Sequence, residues 1–230
     1  MPETTSALGL VLTGNAELLA VVRLSLMVSL SATALAGLIG APLGALIALN
    51  RFPGREAAII TLNALMGLPP VVVGLVVYLA LSRSGPLGSW GILFTPAGMI
   101  VAQTILVTPI VAALTRQTLE DLWVEYRDEF AAMEVGLRSR IVALIWDARF
   151  SLVTALLAGF GRAAAEVGAI IIVGGNIEGF TRTMTTSIAL ETSKGNLSLA
   201  IGLGIVLMSI VIAVSALAWA VRRAGERLAG

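Results

Sequence analysis

The sequence contains no cysteine and no histidine. These absences exclude disulfides, thiolate or imidazole metal sites, and any nucleophile activated by a histidine. The sequence also lacks a G-x-x-x-x-G-K-[ST] loop, so the chain does not bind nucleotide by that route. We therefore expect no catalytic residue, no metal and no cofactor on this chain.

Charged residues are also scarce. They make up 13% of the chain, against about 25% in soluble domains, whereas 57% of the chain is hydrophobic. This balance predicts an all-α integral membrane protein, and the net charge of +1 provides no basic patch for nucleic acid. Among the first 17 residues only Glu3 and Glu17 are charged, so we expect no cleaved signal peptide.

The apolar segments have the length of membrane spans. A helix needs roughly 20 apolar residues to cross the bilayer core. Five segments satisfy this requirement, and we predict a single transmembrane domain over residues 1–230. The predicted spans cover residues 18–49, 57–81, 96–114, 150–173 and 197–221.

One long stretch, Arg116–Arg149, is too charged for a bilayer. Its apolar residues recur at the spacing of one helix face as far as Gly136, after which a second helical pattern begins. We predict a helix, a turn with Gly136 in the left-handed conformation of a helix C-terminus, and a second helix, all on the water side. The apolar residues at this spacing are Leu119, Leu122, Trp123, Tyr126, Phe130, Met133 and Leu137.

The basic residues predict the orientation in the membrane. If Arg116–Arg149 is cytoplasmic, the outer side holds only Arg83, Arg182 and Lys194. The N-terminus is then outside and the C-terminus inside. The cytoplasmic basic residues are Arg51, Arg55, Arg116, Arg127, Arg138, Arg140, Arg149, Arg222, Arg223 and Arg227.

Two ridges of small residues run along the first span. Small residues let helix backbones approach closely in a membrane. We favour tight packing within this chain over a contact with another subunit. The ridges are Ser25, Ser29, Thr33, Gly37, Ala41 and Ala45, and beside them Ala32, Ala36, Gly40, Gly44 and Ala48.

Prolines interrupt the second and third spans. Pro69 and Pro70 remove two backbone donors, and a structural kink and a break that lines a pathway explain them equally well. Three polar residues lie near Pro109 in the third span. We expect them to have a packing role, because the threonine hydroxyl often bonds back to a carbonyl of its own helix. These residues are Gln103, Thr104 and Thr108.

The fourth span contains two charged residues, Arg162 and Glu166, at i and i+4. This spacing lets the two charges neutralise each other on one helix face. Ionisable residues inside a membrane are candidates for function. We favour a pair that borders a translocation path in the outer half of the bilayer over a purely structural pair.

The predicted outer loop, residues 174–196, is dense in hydroxyl groups around one arginine. Hydroxyls and a guanidinium suit an oxyanion, but a polar docking surface explains the composition equally well. Residues 185–192 could form a short helix. The candidates for docking or anion contact are Thr181, Arg182, Thr183, Thr185 and Thr186.

The charged stretch resembles the EAA loop of ABC importer permeases. The family pattern is Glu-Ala-Ala, three residues and a glycine, which aligns with Phe130–Gly136. Phe130 replaces the glutamate, and the acid, Glu129, lies one residue early. The Leu-Pro that usually follows is replaced by Ala148 and Arg149.

Three further stretches resemble the tungstate branch of the molybdate/tungstate/sulfate permeases. They read NALMGLPPVVVGLVVYLALSRSGPLG, GFGRAAAEVGAIIIVGGNI and TRTMTTSIALETSKG. That branch is similar in having Ala-Arg-Phe, here Ala148, Arg149 and Phe150, in place of Leu-Pro. The resemblance covers most of the chain from about Leu26 onward.

The resemblance implies a type I importer with the MetI-like fold, located in the inner membrane. It implies a permease homodimer, two cytoplasmic ATPase subunits that bind ATP and Mg²⁺, and an extracytoplasmic oxyanion-binding protein. Tungstate is the expected cargo, with molybdate or sulfate as alternatives. The ATPase-coupling residues would be Glu129, Phe130, Ala131, Ala132, Met133 and Gly136. The path would be shaped by Pro69, Pro70, Thr104, Thr108, Arg162 and Glu166.

Two other classes of membrane protein compete with this interpretation. An ion-coupled secondary transporter would show inverted repeats and midplane ionisable residues in both halves. The sequence has one charged pair and no internal repeat. A membrane-embedded enzyme would need a base and a nucleophile, and no such constellation is available.

Overall fold

The computed structural model describes residues 16–229, and no strand occurs in that range. Four helices are long and apolar enough to cross a membrane, and a bent helix pair provides a fifth span. The predicted all-α fold with five spans is therefore confirmed. The expectation about a signal peptide, and the side chains of Leu137, Arg222 and Arg227, lie outside the described residues. The helices are α1 (Ala16–Leu49), α2 (Arg55–Met66), α3 (Pro70–Leu81), α4 (Pro96–Ala132), α5 (Leu137–Ala164), α6 (Gly168–Gly174), α7 (Met184–Ser193) and α8 (Leu197–Ala229), with one 3₁₀ turn at Gly88–Trp90.

Helix α4 is the centre of the bundle. It merges the predicted third span and the first helix of the charged stretch into one helix of 37 residues. At 1.5 Å per residue it is about 55 Å long, well beyond the roughly 30 Å of a bilayer core. The helix continues from the predicted third span into the charged stretch, because no helix breaker follows Pro109 and the apolar face continues through Leu119 to Phe130.

The turn between α4 and α5 is closed by Glu134 and not by Gly136. Glu134 has φ 50°, whereas Gly136 is extended, with φ −66° and ψ 154°, and precedes α5. The Glu134 N–H donates to the Ala131 carbonyl and the Val135 N–H to the Phe130 carbonyl. This is the Schellman pattern, which places the left-handed residue two positions after the last helical residue. The predicted left-handed Gly136 was therefore wrong.

Helices α2 and α3 are bent by 99° at residues 67–69, where Pro69 and Pro70 predicted a break. The pair runs antiparallel to α4 along the depth of the bundle. Arg55, at the start of α2, pairs with Glu120, whereas Leu81, at the end of α3, belongs to the cluster that contains Ala102. Eighteen residues of α4 separate these two levels, about 27 Å of helix. The pair is thus one broken span and not a loop that returns to the same side.

Helix α5 merges the second helix of the charged stretch with the fourth span, but that span is not continuous. Helix α5 ends at Ala164, and α6 begins only at Gly168. The predicted unbroken helix over 150–173 was wrong, and the cause is a polar contact described below. The fifth predicted span is confirmed and forms most of α8.

The small residues of α1 pack inside the chain, as favoured from the sequence. A Cβ added to Gly40 would lie 2.8 Å from the Thr108 carbonyl oxygen, and one added to Gly44 would lie 2.3 Å from that of Ala112. The backbones of α1 and α4 therefore approach too closely for any side chain. Helix α1 runs parallel to α4, with Ala36 beside Val107 and Val111.

Candidate functional site

Two interrupted helices lie side by side in the membrane-spanning part of the bundle. The α2–α3 break covers residues 67–69 and the α5–α6 break covers residues 165–167. A Cβ added to Gly168 would lie 2.8 Å from Val71 Cγ2, and one added to Gly74 would lie 2.8 Å from Ala169 Cα. The first turns of α3 and α6 are thus in direct contact, and the two breaks form one polar region.

The α2–α3 break presents its polar backbone on an open face. Because Pro69 and Pro70 have no N–H, the carbonyls of Leu65 and Met66 lose their usual helical donors. The Leu68 N–H donates to the Leu65 carbonyl as a replacement. Gly67 and Pro69 are exposed, and so is the amide side chain of Asn63 one turn earlier. Such a surface is tolerated at membrane depth only against protein or water.

The α5–α6 break is organised by Glu166. Its side chain is only 4% exposed, and its Oε1 accepts a hydrogen bond of 3.1 Å from the Ala169 N–H in the first turn of α6. Its backbone carbonyl accepts from Thr185 Oγ1 at 2.9 Å. The carboxylate thus caps a helix that begins inside the membrane, which explains why α5 stops before it.

Arg162 is the other member of the predicted pair. Its Nη2 lies 3.9 Å from Glu166 Oε2, and its side chain is 37% exposed. The ion pair is present, but the two residues do not share one helix face, because α5 ends between them. Arg162 therefore remains partly exposed beside the break.

Gln103 supports the α5–α6 break from α4. It is fully buried, and its Nε2 donates a hydrogen bond of 2.8 Å to the carbonyl of Ala163. That carbonyl lies in the last turn of α5 and also accepts a hydrogen bond of 3.2 Å from the Glu166 N–H, so Gln103 adds a second donor at the helix end. From the sequence, Gln103 was expected only to pack beside Pro109. The sequence signal that could have indicated its role is that Gln103 is a polar amide within a strongly apolar span.

Thr104 and Thr108 bond back to their own helix. Thr104 Oγ1 donates to the Ile100 carbonyl and Thr108 Oγ1 to the Thr104 carbonyl, each at 2.7 Å. Both side chains are half-buried. Their hydroxyl protons are engaged within α4 in this conformation.

The threonines of the predicted outer loop are buried and hydrogen-bonded. Thr181 Oγ1 donates to the Gly174 carbonyl at 2.6 Å and accepts from the Ile177 N–H at 2.9 Å. Thr183 and Thr186 form a capping box at the start of α7. Thr185, as noted, holds the Glu166 carbonyl. These side chains build the fold of the segment in this conformation.

Arg182 is the charged member of that loop. Its Nη1 lies 3.2 Å from Glu178 Oε2, and its side chain is 20% exposed. Its Nε is buried and has no hydrogen-bond partner.

The turn between α4 and α5 is an exposed tip with a packed base. Met133 is 75% exposed, and Glu129, Ala131 and Ala132 are also exposed. Phe130 instead packs inward, with its ring centroid 6.4 Å from that of Trp123 and 5.9 Å from that of Tyr126. The tip can contact another protein, while Phe130 supports it from below.

A charge cluster joins three helices where α4 leaves the apolar part of the bundle. Glu120 on α4 forms ion pairs with Arg55 on α2 and Arg116 on α4. Arg55 Nε also donates to the carbonyl of Ile47 on α1 at 2.9 Å. Sequence reasoning missed this cluster, because Arg55 and Glu120 lie 65 positions apart. Between residues 16 and 229 no group of acidic side chains is arranged to hold a metal ion.

Comparisons with known proteins show close relatives. A probable anion ABC transporter permease protein of Haloferax volcanii is 43% identical over 207 residues, 87% of this chain and 88% of that protein. A tungstate uptake system permease protein of Peptoclostridium acidaminophilum is 37% identical over 217 residues, 94% of this chain and 95% of that protein. A molybdenum transport system permease protein of Azotobacter vinelandii is 28% identical over 180 residues, 74% of this chain and 79% of that protein. No protein-family profile matches the chain.

Proposed function

This chain belongs to the family of anion ABC transporter permeases, and from that premise we propose that it is the membrane-spanning subunit of a tungstate importer. The cargo assignment is supported by identity, which is 37% to a tungstate uptake permease and 28% to a molybdenum permease. Molybdate and sulfate are the alternatives. The family is one of transport subunits in the cell membrane, and the five spans fit that location.

One observation carries the proposed path: the α2–α3 break and the α5–α6 break lie side by side, with Arg162 half-exposed beside them. Interrupted helices in transporters commonly border the substrate pathway. An oxyanion passing this level would meet the guanidinium donors of Arg162. Glu166 maintains the break by capping the first turn of α6. Its negative charge also offsets part of the positive charge of Arg162, so that the anion is not retained.

A single copy leaves this polar region uncovered. The exposed Asn63, Gly67 and Pro69 cannot face lipid hydrocarbon without unpaired polar groups. We therefore propose that a second copy covers the region across a twofold axis and that the path runs between the copies. An isologous dimer is the commonest such assembly.

The energy source lies on a partner subunit. The chain has no phosphate-binding loop, so ATP and Mg²⁺ would bind to two cytoplasmic ATPase subunits, one for each permease copy. The exposed tip at Met133 would dock into the ATPase, together with Glu129, Ala131, Ala132 and Gly136, while Phe130 positions it. An extracytoplasmic oxyanion-binding protein would dock at the opposite end, where Arg182 and the neighbouring threonines Thr181, Thr183, Thr185 and Thr186 lie.

Reconstituted transport tests the proposal. The permease, its ATPase and its binding protein are placed in proteoliposomes, and ATP-dependent uptake of tungstate, molybdate and sulfate is compared. Preferential uptake of tungstate is expected. Equal or greater uptake of molybdate would refute the cargo assignment.

The path assignment has its own variant. Arg162→Gln should lower tungstate uptake while the thermal midpoint of unfolding stays within a few degrees, because the residue is partly exposed and its ion pair is long. Arg83→Gln removes an exposed arginine outside the proposed path and should leave uptake unchanged. Wild-type uptake by Arg162→Gln would remove Arg162 from the path.

A further inference from the structure

The charge cluster formed by Arg55, Arg116 and Glu120 attaches the start of α2 to two other helices. One carboxylate oxygen of Glu120 on α4 pairs with Arg55, and the other pairs with Arg116 one turn earlier on the same helix. The Nε of Arg55 also donates a hydrogen bond of 2.9 Å to the Ile47 carbonyl on α1. The three charged side chains are between 14% and 28% exposed, so water and salt screen the cluster only partly. A single guanidinium therefore joins α1, α2 and α4.

Helix α2 has few other attachments to the bundle. Within Arg55–Met66, all of which the structure describes, Leu62 is the only buried residue. Leu62 packs in one apolar cluster with Ile47 of α1 and Ala112 of α4. Most other residues of α2 are exposed. The charge cluster and the apolar cluster of Leu62 are thus the main contacts that set the position of α2.

The charge cluster lies between the α2–α3 break and the exposed tip at Met133. From Arg55, α2 leads directly into the break at residues 67–69. From Glu120, α4 continues to Ala132, the residue before Met133, over about 18 Å at 1.5 Å per residue. No proline or glycine interrupts this part of α4. The end of α4 is therefore a continuous helix that connects the tip with Glu120.

This end of α4 is packed against α5 and α1. Trp123 and Tyr126 of α4 share an apolar cluster with Leu144 of α5 and Leu49 of α1. Among the described residues of α2, none belongs to that cluster. The tip, the start of α5 and the end of α1 thus form one packed unit, and the charge cluster links α2 to it by polar contacts.

We propose that Arg55 and Glu120 are positioning residues that make the α2–α3 break follow the tip at Met133. The proposal rests on the proposed function, which places the break on the anion path and the tip against the ATPase. Movement of the tip displaces Glu120 through the continuous end of α4, and Arg55 carries the start of α2 with it. Arg116 holds the second carboxylate oxygen and so keeps the first one directed at Arg55. Arg55 and Glu120 act through the break and need no contact with the anion or the ATPase.

The first test measures the amount of anion taken up per ATP hydrolysed. The permease, its ATPase and its binding protein are reconstituted in proteoliposomes, and Glu120→Gln removes the charge that Arg55 and Arg116 share. The uptake per ATP should fall by at least about fivefold, the lower end of the usual coupling between two sites. Glu56→Gln is the matched control and should leave the ratio unchanged. Glu56 Oε1 also lies 3.7 Å from Arg55 Nη1, but Glu56 is 84% exposed and belongs to α2 itself.

A conservative pair of variants separates coupling from stability. Arg55→Lys keeps a positive charge for Glu120 and should retain more of the uptake per ATP than Arg55→Gln. The unfolding midpoint of each complex is measured as well, because a purely structural cluster would lower the midpoint and leave the ratio unchanged. That result, or equal ratios in Glu120→Gln and Glu56→Gln, would overturn the proposal. If Glu120→Gln does not assemble, the two Arg55 variants decide, and equal ratios in them would overturn it.

A distance measurement distinguishes failure of this proposal from failure of the cargo assignment. Since the chain has no cysteine, spin labels at Ile60→Cys on α2 and Asp128→Cys on α4 report a single distance, and both positions are exposed. Labelled permease is assembled with an excess of unlabelled copies, and a non-hydrolysable ATP analogue is added without anion. The distance should stay constant with the native cluster and change in Glu120→Gln. A change with the native cluster, or a constant distance in both proteins, would overturn the proposal. The expected distances together with no uptake of tungstate would refute the cargo assignment alone.

Discussion

Two replacements of Glu166 measure separately how much its hydrogen bond and its charge contribute to the stability of the permease. Glu166→Leu removes the acceptor of the Ala169 N–H, which is fully buried, and also the partner of Arg162. Glu166→Gln keeps an oxygen of similar reach for the Ala169 N–H and removes only the charge. The structure predicts that the hydrogen bond matters far more than the ion pair.

The magnitudes follow from burial. An unsatisfied buried N–H is unfavourable by about 1–3 kcal/mol, and loss of a helix cap falls in the same range, about 0.5–2 kcal/mol. The ion pair is 3.9 Å long and Arg162 is 37% exposed, so it contributes about 0–1 kcal/mol. Glu166→Leu should therefore lose about 2–3 kcal/mol and Glu166→Gln about 1 kcal/mol or less.

Thermal unfolding of the purified complex measures this difference. With about 2–4 °C per kcal/mol for a chain of this size, Glu166→Leu should lower the midpoint by about 4–12 °C and Glu166→Gln by about 4 °C or less. The double variant Arg162→Leu, Glu166→Leu should remain as unstable as Glu166→Leu, because leucine cannot cap α6. Equal losses in the two single variants, or recovery in the double variant, would refute the capping role.

Three further predictions test the packing and the orientation. Gln103→Leu should destabilise the permease by about 0.5–1.5 kcal/mol, because it removes one of the two hydrogen bonds that the Ala163 carbonyl accepts, and an unchanged unfolding midpoint would contradict that bond. Gly44→Ala should lose at least about 1–3 kcal/mol by forcing α1 from α4, whereas Gly204→Ala, with open space at its Cβ, should be neutral or stabilising by the same thermal assay. Because the chain has no cysteine, single cysteines report the orientation: an impermeant maleimide on intact cells should label Ser84→Cys but not Met133→Cys, and the reverse pattern would invert the topology.

Hydropathy and local chemistry predicted much of this structure. The five spans followed from apolar length, and the α2–α3 break followed from Pro69 and Pro70, whose missing N–H groups act wherever the helix lies. The tight packing of the first span within this chain followed from its ridges of small residues, whereas α4 as the partner of Gly40 and Gly44 came from the structure. The importer family followed from the stretches around these same features.

Other features depended on which hydrogen bonds the folded chain forms. The α5–α6 break contains no proline, and Glu166 interrupts the span because it caps α6 while Gln103 and Thr185 hold the carbonyls freed around it. The left-handed turn residue is Glu134, since the last bonds of α4 and not the nearest glycine decide where a Schellman turn forms.

The sequence by itself thus determined which segments enter the membrane, where proline interrupts them and which family the chain resembles, because these properties depend on local composition and backbone chemistry. Only the tertiary structure decided that the two breaks adjoin, that Arg162 remains half-exposed while Glu166 is buried, and that the Gln103 amide meets the Ala163 carbonyl. A buried polar group is stable only with a partner, and that partner is supplied by helices that the sequence places far apart.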